Sequence, residues 1–482
     1  LRLLSATRLA DLIRTGEISS RDAVETHIAQ IERVNPTINA VVRTRYEAAR
    51  AEAAHADAMR ATHAVDQLPP LHGVPCTIKE CFALTGMPNS AGLVARQHLV
   101  APSDATTVAR LRQAGAIPLG VTNTSELCMW IESNNHVYGR TNNPHDPARI
   151  AGGSSGGEGA IVAAGGSPFG LGSDIGGSIR GPAFFNGVFG HKPSGGLVPG
   201  TGQYPIATGA ALRYLVSGPL CRRAEDLMPL LRILAGPDGI DTGCQAYPLG
   251  DPATVSLEGR LLLDITDNGA LPVSQDLRQA QADAVLALRD LGMRPRHASF
   301  PALKKQFDIW SAMMSETQEM SYSRMLGEGA RKIAIWELMK HAVGRSEHTV
   351  ISSLLALVDP VPRLLPGLAR RMIDLGRTLR AEITAALGPD GVLLYPSFTG
   401  PAPRHGMPVR WAMRLHMPWA YQAIVNVLEF PATQVPAGVN AQGLPLGFQV
   451  VSAHGNDHVT IAIAQRLEQL RGGWVPPALA GL

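Results

Sequence analysis

With 482 residues, 45% of them hydrophobic and 17% charged, the chain is long enough to bury a large core and too apolar to remain disordered. Its 43 basic and 40 acidic residues leave a formal net charge of +3 with no basic run, which argues against a nucleic-acid partner. Five cysteines, at 76, 81, 128, 221 and 244, are an odd number with no CxxC pair and too few for a disulfide framework, so a reducing, cytoplasmic location is expected.

Leu9, Leu12 and Ile13, then Val24, Ile28, Ile31 and Val34, fall at helical spacing on either side of Gly16. Ser19 with Asp22 reads as a capping box that opens the second helix. An Ala-rich helix is expected over 45–64, and past Pro69 and Pro70 a buried strand over 74–78 with Lys79 at its end. Residues 106–114 read as a helix and 117–121 as a strand, an alternation that predicts an α/β sheet sandwiched by helices.

The alternation then stops at a stretch of different composition. Residues 151–200 hold 17 of the 50 glycines, interleaved with serine and nearly free of charge. Such density serves close backbone approach or positive φ rather than side-chain packing. Residues 307–387 turn to helices rich in Trp, Met and Leu (Trp310, Met313, Met314, Met320, Met325, Trp336, Met339), interrupted by Pro360, Pro362 and Pro366. They read as a helical insertion or cap. Strands are expected again at 391–395 and 447–451, and Asp457 is placed to cap a last helix over 459–470. The organisation expected is one domain over 1–482 rather than separate modules. The apolar stretches 160–172 and 352–369 are broken by Gly, Pro, Asp359 or Arg363, short of the ~18 uninterrupted apolar residues of a spanning helix. The start at Leu1 shows no signal-peptide pattern.

The Gly-rich stretch has neither the GK[ST] of a phosphate loop nor a GxGxxG opening a helix. Residues 152–157 match GxSxG twice, but a nucleophile elbow needs a strand just before its serine, and 142–149, with Pro144 and Pro147, has the composition of a loop. A second serine, Ser178, follows Gly176 and Gly177, where backbone N–H groups are free to turn toward a developing oxyanion. A serine hydroxyl needs a base, and a lysine amine serves when burial keeps it neutral. Lys79, ending an apolar strand, is the candidate.

The ordered set Gly73-Val74-Pro75-Cys76-Thr77-Ile78-Lys79-Glu80, Gly152-Gly153-Ser154-Ser155-Gly156-Gly157-Glu158-Gly159, Gly172-Ser173-Asp174-Ile175-Gly176-Gly177-Ser178-Ile179-Arg180 and Gly190-His191-Lys192-Pro193-Ser194 closely resembles the amidase signature family. Within it, 124–130, 182–187 and 443–447 look most like the fatty acid amide hydrolase 2 branch. The resemblance implies a central mixed β-sheet sandwiched by helices, a catalytic core over 73–200 and a helical insertion over 307–387 covering the site. It also implies amide hydrolysis through an acyl-enzyme. Ser178 is then the nucleophile, Ser154 the bridging serine with a cis peptide bond, Lys79 the base, and the N–H groups of Ile175, Gly176, Gly177 and Ser178 the oxyanion hole. Ser173 stands where many members have Thr. Asp174 and Arg180 are expected to pair and stiffen the nucleophile loop, and Ser155 to support the relay by hydrogen bonding or simply to shape the turn.

Met129 and Trp130 fall where lipid amide hydrolases have a channel wall, and Met-rich, aromatic surfaces suit an apolar acyl chain. A Met stripe at helical spacing equally describes plain core. The expected substrate is a small-molecule amide with a fatty acyl or aryl part, and the resemblance admits a homodimer and contact with a lipid surface. The other reading is the glutamine-hydrolysing component of an amidotransferase, which works with a partner protein. No cofactor is expected. The histidines, His454 and His458 among them, form no metal-ligand pattern, and Cys76 and Cys81, which bracket Lys79, are given no catalytic role.

Overall fold

The computed structural model describes residues 1–317, 321–329, 334–359, 361–413 and 417–481. Helix Ala6–Thr15 is capped by Ser5 and stopped by Gly16 at φ +79°, and helix Ser20–Ile38 starts on the Ser19 hydroxyl, which accepts from the Asp22 amide. These two and helix Tyr46–Thr62 lie where the periodicity predicts them.

Eleven strands form one sheet: β1 (Val41–Thr44), β2 (Pro75–Lys79), β3 (Ile117–Thr122), β4 (Phe169–Asp174), β5 (Phe189–Lys192), β6 (Val216–Cys221), β7 (Leu261–Asp264), β8 (Arg294–His297), β9 (Val392–Pro396), β10 (Ala432–Val439) and β11 (Pro445–Ser452). Their spatial order is β1-β3-β2-β4-β6-β5-β10-β11-β9-β7-β8. Strand β2 runs parallel to both neighbours, β3 and β4, whereas β4–β6, β5–β10 and β10–β11 are antiparallel, so the sheet is mixed. Every residue of β2, β3, β4, β5, β6 and β9 is buried, as expected of strands covered on both faces.

The α/β alternation does not stop at residue 151. The Gly-rich stretch carries helix Gly156–Ala163, strand β4, helix Arg180–Asn186 and strand β5. Glycine hides the pattern because these elements pack backbone to backbone. Of residues 151–200, only Ile175, Gly176 and Gly200 are not buried. Ile175 and Gly176 open the turn between β4 and the helix that follows it.

The stretch read as an insertion over 307–387 holds helices Gln306–Thr317, Tyr322–Leu326, Ala334–Ala342, Val350–Val358, Val361–Leu364 and Pro366–Leu387. Met320 and Pro360 lie outside the described residues. Helix Gln306–Thr317 packs on Pro366–Leu387 and on Ala420–Val427, a later helix that periodicity does not reveal. Met313 and Met314 are core, whereas Trp336 and Met339 face solvent. The last helix runs Asp457–Arg471, but Asp457 does not cap it. Its carboxylate instead accepts from the Ser194 hydroxyl and amide, tying the helix start to the loop after β5.

Candidate active site

Strand β2 delivers Lys79 at its C-terminal end, fully buried. Its Nζ donates to Ser154 Oγ at 2.7 Å and to Ser173 Oγ at 3.0 Å. Ser154 follows a cis Gly153–Ser154 peptide bond. A Cβ on Gly153 would stand 2.3 Å from the Trp130 carbonyl oxygen, so only glycine lets the Ser154 loop lie against the 130–132 segment. Ser133 holds that loop from the far side: its hydroxyl donates to the Ser154 carbonyl and accepts from the Gly156 amide.

Ser178 sits beside this pair, its carbonyl accepting from the Ser155 amide at 3.2 Å. The Ser155 hydroxyl donates to the Ser173 carbonyl and accepts from the Ser173 amide, so Ser155 stitches the Ser154 loop to the end of β4. Among the described residues the Ser178 hydroxyl has no hydrogen-bond partner; Ser178 lines a small cavity of about 40 Å³. The N–H groups of Ile175, Gly176 and Ser178 also lack acceptors among the described residues. Gly177 differs: its amide donates to Asp174 Oδ1 at 2.7 Å. Of the four amides expected in an oxyanion hole, that one is already engaged in shaping the loop. Gly177 has φ +109°, and a Cβ there would lie 2.1 Å from Gln422 Oε1.

Asp174 and Arg180 do pair, both wholly buried, with Arg180 Nη2 3.0 Å from Asp174 Oδ1. Burial pushes the Asp174 carboxyl up, but the Arg180 charge and hydrogen bonds outweigh it and hold the group well below the usual carboxylate range. Asp174 also accepts from the Ile179 amide and from Asn426, and Arg180 reaches Gln449 and Asn426. The Ser178 loop is therefore locked to helix Ala420–Val427 and strand β11. Glu158, in the same serine- and glycine-rich motif, accepts from the Thr77 and Thr122 hydroxyls, and burial raises its carboxyl to about 8.

Met129, Trp130, Ile131, Ile175, Gly176, Trp310 and Trp419 line the cavity together with Ser178. Trp310, from the insertion, donates its indole N–H to the Ile175 carbonyl at 2.9 Å and meets Trp419 edge-on at 4.9 Å between centroids. Met129 and Trp130 thus share a cavity with Ser178. No sequence signal marks Trp419, Gln422 or Asn426, and Ser173 stands out in the sequence only as a substitution for Thr. Among the described residues no cluster of His, Cys, Asp or Glu could hold a metal ion.

Residues 22–461 match the amidase family profile. Fatty-acid amide hydrolase 2-A of Danio rerio is 45% identical over 99% of this chain and 90% of its own length. Acylamidase of Rhodococcus erythropolis is 30% identical over 98% of this chain and 96% of its own length. The solved structure of 6-aminohexanoate cyclic dimer hydrolase superposes with a TM-score of 0.82 at 26% identity, covering 99% of both chains. The chain belongs to the amidase signature family and is a hydrolase of amide C–N bonds. Within that family it is similar to fatty-acid amide hydrolase 2, whose human protein is 44% identical over 99% of this chain and 91% of its own length.

Proposed function

We propose that the chain hydrolyses apolar amides, fatty acyl or aryl, through an acyl-enzyme on Ser178. The observation that carries this reading is the buried 2.7 Å contact between Lys79 Nζ and Ser154 Oγ beside a serine facing a cavity walled by Met129 and three tryptophans. Lys79 takes the proton of Ser154, and Ser154 takes that of Ser178 as Ser178 Oγ attacks the amide carbon. The resulting oxyanion is met by the N–H groups of Ile175, Gly176 and Ser178, and each such donor contributes about 3 kcal/mol to the transition state. Ser154 then returns its proton to the leaving amine nitrogen. Water repeats the sequence on the ester.

The lining favours an apolar substrate over glutamine. A glutamine site needs polar partners for an ammonium and a carboxylate, and this wall supplies indole and thioether instead. At about 40 Å³ the cavity is far smaller than the ~300–1,000 Å³ of ligand pockets, so an acyl chain enters as the side chains that line it turn aside.

Contact with a lipid surface belongs to the same reading. Ile335, Trp336 and Met339 on helix Ala334–Ala342, and Leu364, Leu365 and Leu368 where helix Pro366–Leu387 begins, are between 51% and 73% exposed. Apolar side chains turned to solvent on the insertion suit seating at a lipid interface. Among the described residues no helix is long and apolar enough to cross a membrane.

The test is amine release from a panel running from glutamine and acetamide through aryl amides to oleamide, with Ser178→Ala as control. Release from the apolar members that vanishes in the control supports the reading. Release from glutamine alone, or only after a partner protein is added, overturns it.

A further inference from the structure

The turn from Asp174 to Ser178 is held one peptide at a time. A trans peptide is planar, with its C=O and N–H pointing opposite ways, so a partner that fixes one group also fixes the direction of the other. Among the described residues the cis bonds lie elsewhere, at Gly153–Ser154 and Tyr204–Pro205. The Asp174 carbonyl accepts from Asn426 Nδ2 at 2.9 Å, which sets the Ile175 N–H. The Gly177 carbonyl accepts from the Gly181 amide at 2.6 Å, which sets the Ser178 N–H. Between them, the Gly177 amide is tied to Asp174 Oδ1. Asp174 and Asn426 belong to the buried Arg180 network, and Gly181 lies in helix Arg180–Asn186 just beyond the turn.

That leaves the Ile175–Gly176 peptide, and its partner comes from helix Gln306–Thr317. The Ile175 carbonyl accepts from the Trp310 indole N–H at 2.9 Å, and no other donor reaches it among the described residues. Three tryptophans line the Ser178 cavity, and the N–H groups of Trp130 and Trp419 are buried without an acceptor among the described residues. Of the three, Trp310 alone directs its donor at the backbone of the turn. Its ring is itself held, stacked on Phe307 at 6.4 Å and edge-on to Trp419 at 4.9 Å between centroids. A Cβ built on Gly176 would lie 3.5 Å from Trp310 Cζ2 and 3.6 Å from Trp419 Cζ3, so both indoles flank this glycine at van der Waals distance.

We propose that Trp310 is a positioning residue for the oxyanion: by holding the Ile175 carbonyl on its own side, it aims the Gly176 N–H at the oxygen that turns negative as Ser178 attacks. The Ile175–Gly176 peptide needs a hold from outside. Ile175 and Gly176 are the two residues of the turn that are not buried, and glycine restricts its own backbone least. A peptide that swings presents its N–H to the oxyanion only part of the time, whereas a donor aimed beforehand costs no reorganisation at the moment of reaction. The inference rests on the acyl-enzyme reading above.

The test compares wild type with Trp310→Phe, which keeps a ring on the cavity and loses the donor, using one apolar amide and two ligands with the same acyl group. Ser178 Oγ adds to the carbonyl carbon of a trifluoromethyl ketone, whose oxygen takes the π electron pair and becomes the oxyanion; the matching trifluoromethyl alcohol fills the same space and forms none. Expected for Trp310→Phe is a kcat lower by roughly 10- to 100-fold, within the ~10²–10³ that loss of a whole donor costs. The ketone Ki rises by the same factor, while KM and the alcohol Ki stay within about twofold of wild type. Installing 3-benzothienylalanine at position 310 keeps the indole outline, replaces N–H by sulfur and gives the same pattern, which covers a Trp310→Phe that does not fold. Trp419→Phe removes an N–H that has no acceptor and is expected to move ketone and alcohol affinity alike. Ketone and alcohol weakening together in the 310 variants, or neither changing, overturns the inference and leaves the acyl-enzyme reading standing. So does a Trp419→Phe protein that loses the preference for ketone as far as the 310 variants do. A wild-type protein that binds the ketone no more tightly than the alcohol overturns the acyl-enzyme reading, and the inference with it.

Discussion

Glu126 Oε1 accepts a hydrogen bond from His348 Nδ1 at 2.7 Å, a contact between the cavity turn and the helical insertion in which both side chains are 2% exposed. Oε2 of the same carboxylate accepts from the Thr349 amide at 2.8 Å and the Thr349 hydroxyl at 3.0 Å. One acidic side chain therefore ties His348 and Thr349 to the turn that leads into Cys128, Met129 and Trp130.

Removing that anchor has a calculable cost. Glu126→Ala leaves His348, the Thr349 amide and the Thr349 hydroxyl buried without their acceptor, and breaking such a buried pair destabilises by about 3 kcal/mol or more. We expect the urea midpoint to fall accordingly, and the loss in the double variant with His348→Ala to be less than the sum of the two single losses. An unchanged midpoint in Glu126→Ala would mean that the contact does not hold the insertion down.

Ser173 gives a sharper test of the relay. It is one of two acceptors on Lys79 Nζ and also faces the Cys81 sulfur. Ser173→Ala leaves Lys79 held by Ser154 alone, and a lost hydrogen bond of this kind corresponds to roughly tenfold in kcat with little change in KM. Ser173→Thr keeps the hydroxyl and is expected to retain activity. Equal activity in all three proteins would remove Ser173 from the positioning of Lys79.

The turn that carries Ser178 makes a third prediction. Gly177→Ala sets a Cβ against Gln422 at a φ of +109°, which L side chains rarely adopt. The turn must shift, carrying the amides of Gly176 and Ser178 with it, and displacement by about 1 Å costs on the order of 100-fold in rate. Activity measured beside a thermal melt separates this from unfolding. A folded Gly177→Ala with full activity would mean that these amides do not meet the oxyanion.

Much of the site was legible because its residues lie in runs with local meaning. Lys79 ends a short apolar strand, Ser154 and Ser178 sit in glycine runs that side-chain packing cannot explain, and Met129 and Trp130 follow closely on β3. What escaped was either pairing or disguise. Trp419, Gln422 and Asn426 meet the nucleophile turn from a helix some 240 positions away, and Glu126 meets His348 across 222. No periodicity encodes such contacts. Strand β4 escaped for the opposite reason: two of its six residues are glycine, and a Cβ on Gly170 would stand 1.8 Å from Glu158 Oε2, so close packing replaced the apolar alternation that marks a strand. Asp457 had the composition of a helix cap, but the buried Ser194 competed for its carboxylate and won.

Lys192 carries the last prediction, one about pH. It ends β5 wholly buried, its Nζ donating to the Pro193 carbonyl at 2.7 Å. Burial first, then repulsion from Arg180, lowers its amine to about 7, and attraction from Asp174, Asp457 and Glu429 only partly offsets this. In the unfolded chain the same amine titrates near 10.4. Between those values the unfolded state binds a proton that the folded state does not, so Lys192 makes stability rise with pH across roughly 7 to 10 and opposes folding below it. Replacing it with Met removes that slope. The expected result, from urea unfolding at several pH values, is that wild type gains stability relative to Lys192→Met as pH climbs through this window, by a few kcal/mol in all. Parallel pH profiles for the two proteins would show instead that the buried amine keeps its proton, held by the acidic groups around it.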